Sequence, residues 1–220
     1  MSDIKVDLRP IIFMGAGGHA SVLAEIILLQ KRDIVAIFSP EKIRFCAALV
    51  DLPAYSDDKN LKEFDPNDFV LVNAIGQLPY SKLRENLSKS AYTRNFRFER
   101  IISESAYVSS YASLGEGVQV MPGAIIQSGA VIGDHSIINS NAVIEHDSVI
   151  GEFNHIAPSA TICGNVETGY DVYVGAGSTI KQGVHIGRNS IVGACTFIDK
   201  DISDGIVIKA NNNQRYEERR

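Results

Sequence analysis

The chain has 220 residues, 45% of them hydrophobic and 21% charged, with a formal net charge of −5. This is ordinary globular composition, which excludes a disordered or fibrous chain, and the acidic excess argues against nucleic acid or an anionic membrane as a partner. Cys46, Cys163 and Cys195 are odd in number and lack metal-type spacing, which argues against a disulfide framework and fits a reducing compartment.

Met1 to Pro10 is charged, and the apolar run Ile11 to Met14 is too short for a signal core or a membrane span. A cytoplasmic protein without membrane insertion is expected. Ile11 to Met14 predicts a buried strand and Gly15 to His19 a tight turn. Ala20 to Lys31 predicts a helix, with Val22, Leu23, Ile26, Ile27 and Leu29 at helical spacing. Ile34 to Phe38 and Phe69 to Ile75 read as further strands. Pro79 to Ser90 reads as a helix, with Pro79 in its first turn or Ser81 as its cap. This order predicts a small parallel α/β, Rossmann-like domain over residues 1–100. Gly15, Gly17 and Ala20 form a G-x-G-x-x-A loop whose amides, at a helix start, suit a phosphate. A dinucleotide site would want an acid directly after the second strand; Ser39-Pro40-Glu41 stands there instead, against an NAD reading.

From Ile102 to Ile198 every sixth residue is aliphatic, Thr168 alone breaking the rule. The position four further on is small (Ala106, Ala112, Ala124, Ala130, Ser136, Ala142, Ser148), with Asn154 the bulky polar exception. Such constant phase predicts a chain that turns a corner every six residues and closes one coil in three hexads. Residues eighteen apart then become vertical neighbours at about 4.8 Å. This second domain, an all-β parallel β-helix, is expected over residues 101–210. Residues 211–220 are expected to form a disordered polar tail.

Five segments carry a family resemblance: Gly15-Ala16-Gly17-Gly18-His19-Ala20, Asn73-Ala74-Ile75-Gly76, Ile144-Glu145-His146-Asp147, Gly151-Glu152-Phe153-Asn154-His155 and Cys163-Gly164-Asn165-Val166. With them the chain resembles the hexapeptide-repeat acyltransferases of left-handed β-helix fold. More narrowly, it is similar to bacterial enzymes that N-acetylate nucleotide-linked 4-amino sugars and to relatives that O-acetylate sialic acids. The resemblance implies a homotrimer with active sites between chains, acetyl-CoA along the β-helix and no metal. It also implies a UDP-type 4-amino sugar held by the N-terminal domain, in surface glycan biosynthesis.

An amine attacking a thioester must lose a proton, and imidazole titrates near the working pH. His146 sits at a hexad corner with Glu145 and Asp147 beside it, either of which would fix its tautomer. It is the expected general base. Gly164, eighteen residues on, should stack above it and offer an N–H to the developing oxyanion. His155 follows His146 by half a coil, so the two can meet only across a subunit boundary; it is assigned to the acetyl group or the substrate. The resemblance places Gly15, Gly17, Gly18, His19, Ile75, Gly76 and Asn139 on the sugar nucleotide, Asn139 orienting the acceptor amine. It places His155, Gly164, Gly175, Ala176, Ala194 and Lys209 on acetyl-CoA, and Lys181 and Arg188 are further candidates for its phosphates. His135 is expected as a solvated turn residue and His185 as a loop residue. The competing readings are sialic acid O-acetylation, a nucleotide-sensing scaffold, and a β-helix zinc lyase using His135, His146 and His155. The spacings of eleven and nine in that last set do not repeat the eighteen-residue coil.

Overall fold

The computed structural model describes residues 7–40 and 47–210. Glu41, Cys46 and the tail 211–220 lie outside the described residues. The N-terminal part is a four-stranded parallel sheet of β1 (Ile11–Met14), β2 (Ile34–Phe38), β3 (Ala54–Tyr55) and β4 (Val70–Asn73), in the order β3-β2-β1-β4. Both β1 and β4 are buried along their whole length, as apolar runs in a sheet covered on two faces must be. On one face lies α1 (Gly18–Leu29), whose Ala20, Leu23 and Ile27 share a core with Phe13, Ile37 and Val72. That core continues into Ile101, Met121 and Ile137, so α1 is packed between the sheet and the second half of the chain. The other face packs Ile12, Met14 and Leu71 against Ala91, Phe96 and Phe98, near α2 (Leu83–Tyr92).

The helix boundaries differ from the sequence expectation for local reasons. α1 begins two residues earlier, at Gly18, and stops at Leu29, with Lys31 at a φ of 56° just beyond. α2 begins at Leu83 rather than Pro79, because Tyr80 takes a φ of 66°, which a right-handed helix does not accommodate. β4 ends at Asn73, whose amide donates to the Arg84 carbonyl at 2.8 Å and to Ser88 Oγ at 3.0 Å, tying the strand end to α2.

From Ile101 the chain forms a left-handed parallel β-helix of two-residue strands on three faces. The first face stacks seven strands, from Ile101–Ile102 through His155–Ile156 to Val207–Ile208. The second stacks six and includes Val143–Ile144 and Thr161–Ile162; the third stacks five and includes Val149–Ile150. Val143 pairs with Thr161 and Ile144 with Ile162, the expected eighteen-residue step. From Gly117 to Cys195 one residue at each corner has a positive φ, recurring every six residues through His135, Asn141, Asp147 and Phe153. Gly, Asn and Asp tolerate that conformation best, which explains their abundance there.

The aliphatic residue of each hexad points inward, and Ile126, Ile138, Ile144, Ile156, Ile162, Val174 and Ile180 are fully buried. The two exceptions to the pattern are accommodated by hydrogen bonds inside the prism. Thr168 Oγ1 accepts the Gly151 N–H at 3.2 Å, and Asn154 Nδ2 donates to the Gly169 carbonyl at 2.8 Å. Ser136, Ser148 and Ser178, at small positions, each donate Oγ–H to a carbonyl fifteen residues ahead at 2.8–2.9 Å. The phase slips once, past Ile198. Ile186 pairs with Ile202 and Ile191 with Val207, sixteen residues apart instead of eighteen.

Candidate active site

His146 and Asp147 occupy the corner between the second and third faces, the two central positions of a tight turn in which Asp147 takes the positive φ of 59°. Their side chains are 56% and 67% exposed. His146 Nδ1 lies 2.9 Å from Asp147 Oδ2. A neutral imidazole therefore carries its proton on Nδ1, donated to Asp147, and leaves the Nε2 lone pair free. Glu145 makes no side-chain hydrogen bond among the described residues; its N–H continues the ladder to the Ile162 carbonyl at 2.9 Å. Of the two flanking carboxylates, Asp147 holds the ring.

Gly164 lies one rung along the same edge. A Cβ added to it would stand 2.6 Å from His146 Nε2 and 2.8 Å from Cε1, so the ring lies directly on the glycine and a side chain there would displace it. The vertical ladder at this corner runs from the Asn165 N–H to the His146 carbonyl (2.9 Å) and from the Gly183 N–H to the Gly164 carbonyl (3.1 Å). It does not use the Gly164 N–H. His146, Asp147 and Gly164 are thus brought together, while Glu145 is adjacent but unengaged.

The other histidines sit in a different environment. His155 is 8% exposed, on the first face beneath the N-terminal domain. Its Nδ1 donates to the Gln77 carbonyl at 2.8 Å, and its Nε2 accepts from Asn139 Nδ2 at 2.9 Å. The Asn139 oxygen is engaged too, by the Ser140 N–H at 2.8 Å, so this amide positions His155. His19 Nε2 donates to Gln119 Oε1 at 2.7 Å, and Gln119 Nε2 donates to the Asn73 carbonyl at 2.8 Å. The expected phosphate-loop histidine is therefore a strut to the β-helix.

His135, expected to be solvated, is instead 1% exposed. It stacks on Phe153 with ring centroids 4.7 Å apart, and its Nε2 meets the Tyr92 hydroxyl at 2.8 Å. The N-terminal domain covers the corner that the sequence pattern leaves facing outward. Burial pushes His19 and His155 down to about 4 and His135 to about 3, with the nearby Arg84 cation adding to each shift, so all three are neutral at pH 7.

The fully buried Arg84 was not visible as a functional residue in the sequence. It donates to the carbonyls of Asn73 and Ile75 at 2.7 Å and of His135 at 3.2 Å, and burial lowers its pKa to about 9. Gln77 Nε2 bridges the Phe153 carbonyl at 2.5 Å and Asp171 Oδ1 at 2.6 Å across the same seam. A helical arginine and a loop glutamine carry no periodic signal.

A cavity of about 670 Å³ opens at the ends of the N-terminal strands, lined by Gly15, Ala16, Gly17, Phe38, Ser39, Pro40, Ser56, Asp57, Asp58, Ile75, Leu83 and Leu87. Gly15 needs its glycine: its φ is 117° and a Cβ would stand 2.7 Å from Ile75 Cγ1. Gly17 and Gly18 have open space where a side chain would be, and no acidic residue occupies the first turn of α1. Free amides at an uncapped helix start suit an anion. Gly76 packs beside the cavity loop, a Cβ there lying 3.5 Å from His19 Cβ. Asp57 and Asp58, which no sequence motif singled out, follow β3 and line the cavity at that end.

Gly175, Ala176 and Ala194 stack on the edge between the first and second faces, with Lys209 exposed at its end. They do not join His146 and Gly164 on the edge between the second and third faces. Arg188 is paired with Asp204 at 2.9 Å, on the edge between the third and first faces. His135, His146 and His155 lie at three separate places, and among the described residues no group of three metal-ligating side chains occurs. No helix among the described residues is long and apolar enough to cross a membrane.

Two family models match. Residues 10–90 match the PglD N-terminal domain, and residues 111–146 match the bacterial transferase hexapeptide (six repeats). Fold and matches together define a hexapeptide-repeat transferase. PerB from Caulobacter crescentus, solved with CoA and GDP-perosamine, is 31% identical over 92% of this chain and 95% of its own, with a TM-score of 0.82. A histidine-to-asparagine variant of perosamine N-acetyltransferase from Caulobacter crescentus, also with CoA and GDP-perosamine, is 29% identical over 97% and 100%, at 0.84. The acetyltransferase domain of PglB from Neisseria gonorrhoeae, in complex with acetyl coenzyme A, is 28% identical over 93% and 98%, at 0.83. None of the curated proteins matches by sequence. The chain belongs to the bacterial hexapeptide-repeat sugar acetyltransferases.

Proposed function

We propose that this protein transfers the acetyl group of acetyl-CoA to the 4-amino group of a nucleotide-linked sugar, with His146 as general base. The observation that carries the reading is the imidazole whose Nδ1 is tied to Asp147 and whose Nε2 lies over Gly164. In this scheme the amine lone pair attacks the thioester carbonyl while His146 Nε2 takes the ammonium proton. The Gly164 N–H stabilises the oxyanion. Collapse breaks the C–S bond, and the imidazolium returns its proton to the departing CoA thiolate. Relatives solved with CoA and GDP-perosamine, or with acetyl coenzyme A, support both substrate classes.

Base and cavity occupy different parts of one chain. His146 stands on the edge between the second and third faces, whereas the N-terminal domain covers the first face and the edge between the third and first. A second copy that brings its cavity or its first face to this corner would complete the site. Three copies in such head-to-tail contact would form the homotrimer that the family resemblance implies. CoA would then run between two prisms, along the edge of Gly175, Ala176, Ala194 and Lys209 from one copy and past His146 of the next.

The test is turnover of acetyl-CoA with a 4-amino nucleotide sugar, run beside free sialic acid. Acetylation of the amine, lost in His146→Ala, is the expected result. Reaction of the hydroxyl acceptor alone would move the enzyme to the O-acetylating branch, and full activity in His146→Ala would remove the base assignment.

A further inference from the structure

Sheet order lays the cavity out as a ruler. The loop after β1 supplies Gly15 to Gly17, the end of β2 supplies Ser39 and Pro40, and the end of β3 supplies Asp57 and Asp58. Neighbouring strands are about 4.8 Å apart, so β3 lies roughly 10 Å from β1. A nucleoside diphosphate whose phosphates meet the amides after β1 has its ribose over the end of β2. Its base then arrives at the end of β3.

The wall waiting there is chemically one-sided. Among the described residues of the cavity lining, Asp57 and Asp58 are the charged ones, and no Lys, Arg, His, Asn or Gln occurs. The Asp57 carboxylate is engaged: Oδ1 accepts the Lys59 N–H at 2.8 Å, capping the short helical turn Asp58–Glu63. The Asp58 carboxylate has no hydrogen-bond partner among the described residues, while its own carbonyl is held by Arg94 Nη1 at 2.6 Å. The backbone is fixed and the side chain is available.

A carboxylate offers acceptors only. Guanine presents two neighbouring donors, N1–H and the N2 amino group, which two carboxylate oxygens meet as a fork. Uracil presents one N–H between two carbonyl oxygens, so a carboxylate gains one hydrogen bond and faces a like-charged acceptor. Adenine and cytosine pair a donor with an acceptor and are mismatched in the same way. We propose that Asp58 reads the base, selecting a guanosine diphosphate sugar over the uridine form expected from the sequence. This rests on the nucleotide-sugar reading above, and the GDP-perosamine bound in two of the similar structures, both from Caulobacter crescentus, accords with it.

The test is calorimetric titration of the full chain with GDP and, separately, with UDP. A site built around hydrogen bonds rejects a mismatched ligand strongly, so GDP should bind at least about tenfold tighter. Asp58→Asn puts a donor beside an acceptor, which matches uracil, so GDP affinity should fall about tenfold or more while UDP holds or improves. Asp57→Asn keeps the cap and should change the ratio little. Melting curves equal to the parent's show that each variant is folded. Equal or tighter UDP binding by the parent, or a GDP/UDP ratio unchanged in Asp58→Asn, overturns the assignment and leaves the nucleotide-sugar reading standing. Failure of both nucleotides to bind the folded parent overturns the two together.

Discussion

The edge that carries His146 and the seam beneath the N-terminal domain are both rich in polar groups, and they use histidine in opposite ways. At the edge the ring is 56% exposed and held by one neighbouring carboxylate, with one nitrogen left free. In the seam His19, His135 and His155 are neutral rings held by Gln119, Tyr92 and Gln77. One environment leaves a proton acceptor available to a substrate; the other commits at least one nitrogen of each ring to a bond between the two domains. Solvent access and partner geometry separate a chemical histidine from a structural one.

The sharpest way to break this contrast is to remove the exposed ring. His146→Ala should lower kcat/KM by about 10²–10⁴-fold, the usual worth of a positioned base, without moving the melting temperature. A comparable loss from His155→Ala with unchanged folding would show that the seam is chemical as well.

Gly164→Ala comes next. Its Cβ would stand 2.6 Å from Nε2, so the ring must rotate away, and kcat should fall about 10–100-fold with KM for the nucleotide sugar unchanged. Crystallography of the variant would check the displaced imidazole.

On the seam side, Arg84→Met strands the Ile75 and His135 carbonyls and leaves the Asn73 carbonyl to Gln119 alone. Orphaned buried acceptors make the expected loss about 3 kcal/mol, read as a lower denaturant midpoint. Turnover measured well below that midpoint should change less than in either active-site variant.

Acid should find the seam as well. His19, His135 and His155 have folded values of about 4, 3 and 4, below the ordinary value of 6.5. The unfolded chain therefore binds more protons between those limits. The seam's contribution is complete above about pH 6.5 and declines as pH falls toward 4. Melting temperatures across that range should drop, and His135→Phe should flatten the decline. The smallest effect belongs to the prism interior. Ser178→Ala removes the bond to the Gly193 carbonyl and the one accepted from the Thr196 N–H, and should cost about 1–2 kcal/mol, a shift of a few degrees in the melting curve.

The β-helix was legible because its contacts have one sequence separation. Val143 meets Thr161 and His146 meets Gly164 by the same step of eighteen, so a hexad count places them without coordinates. Even the exceptions, Thr168 and Asn154, are absorbed by local bonds that leave the phase unchanged. The α/β domain was readable in its strands and loosely in its helices, where Tyr80 and Lys31 set boundaries through backbone conformation rather than through composition.

The chain alone determined the prism, its rung spacing and the stacking of an imidazole on a glycine, since steric and hydrogen-bonding rules repeat at a fixed interval. The tertiary structure alone decided which outward-facing corner the N-terminal domain would bury. His19 finds Gln119 a hundred residues away, Arg84 finds His135 at fifty-one, and Gln77 finds His155 at seventy-eight. Those separations share no period, and each was set by how a flat sheet with its helix settles on one face of a triangular column. That settling turned His135 from a surface residue into a joint, while the strand order of the sheet placed two aspartates at the end of a cavity where no pattern in the sequence pointed.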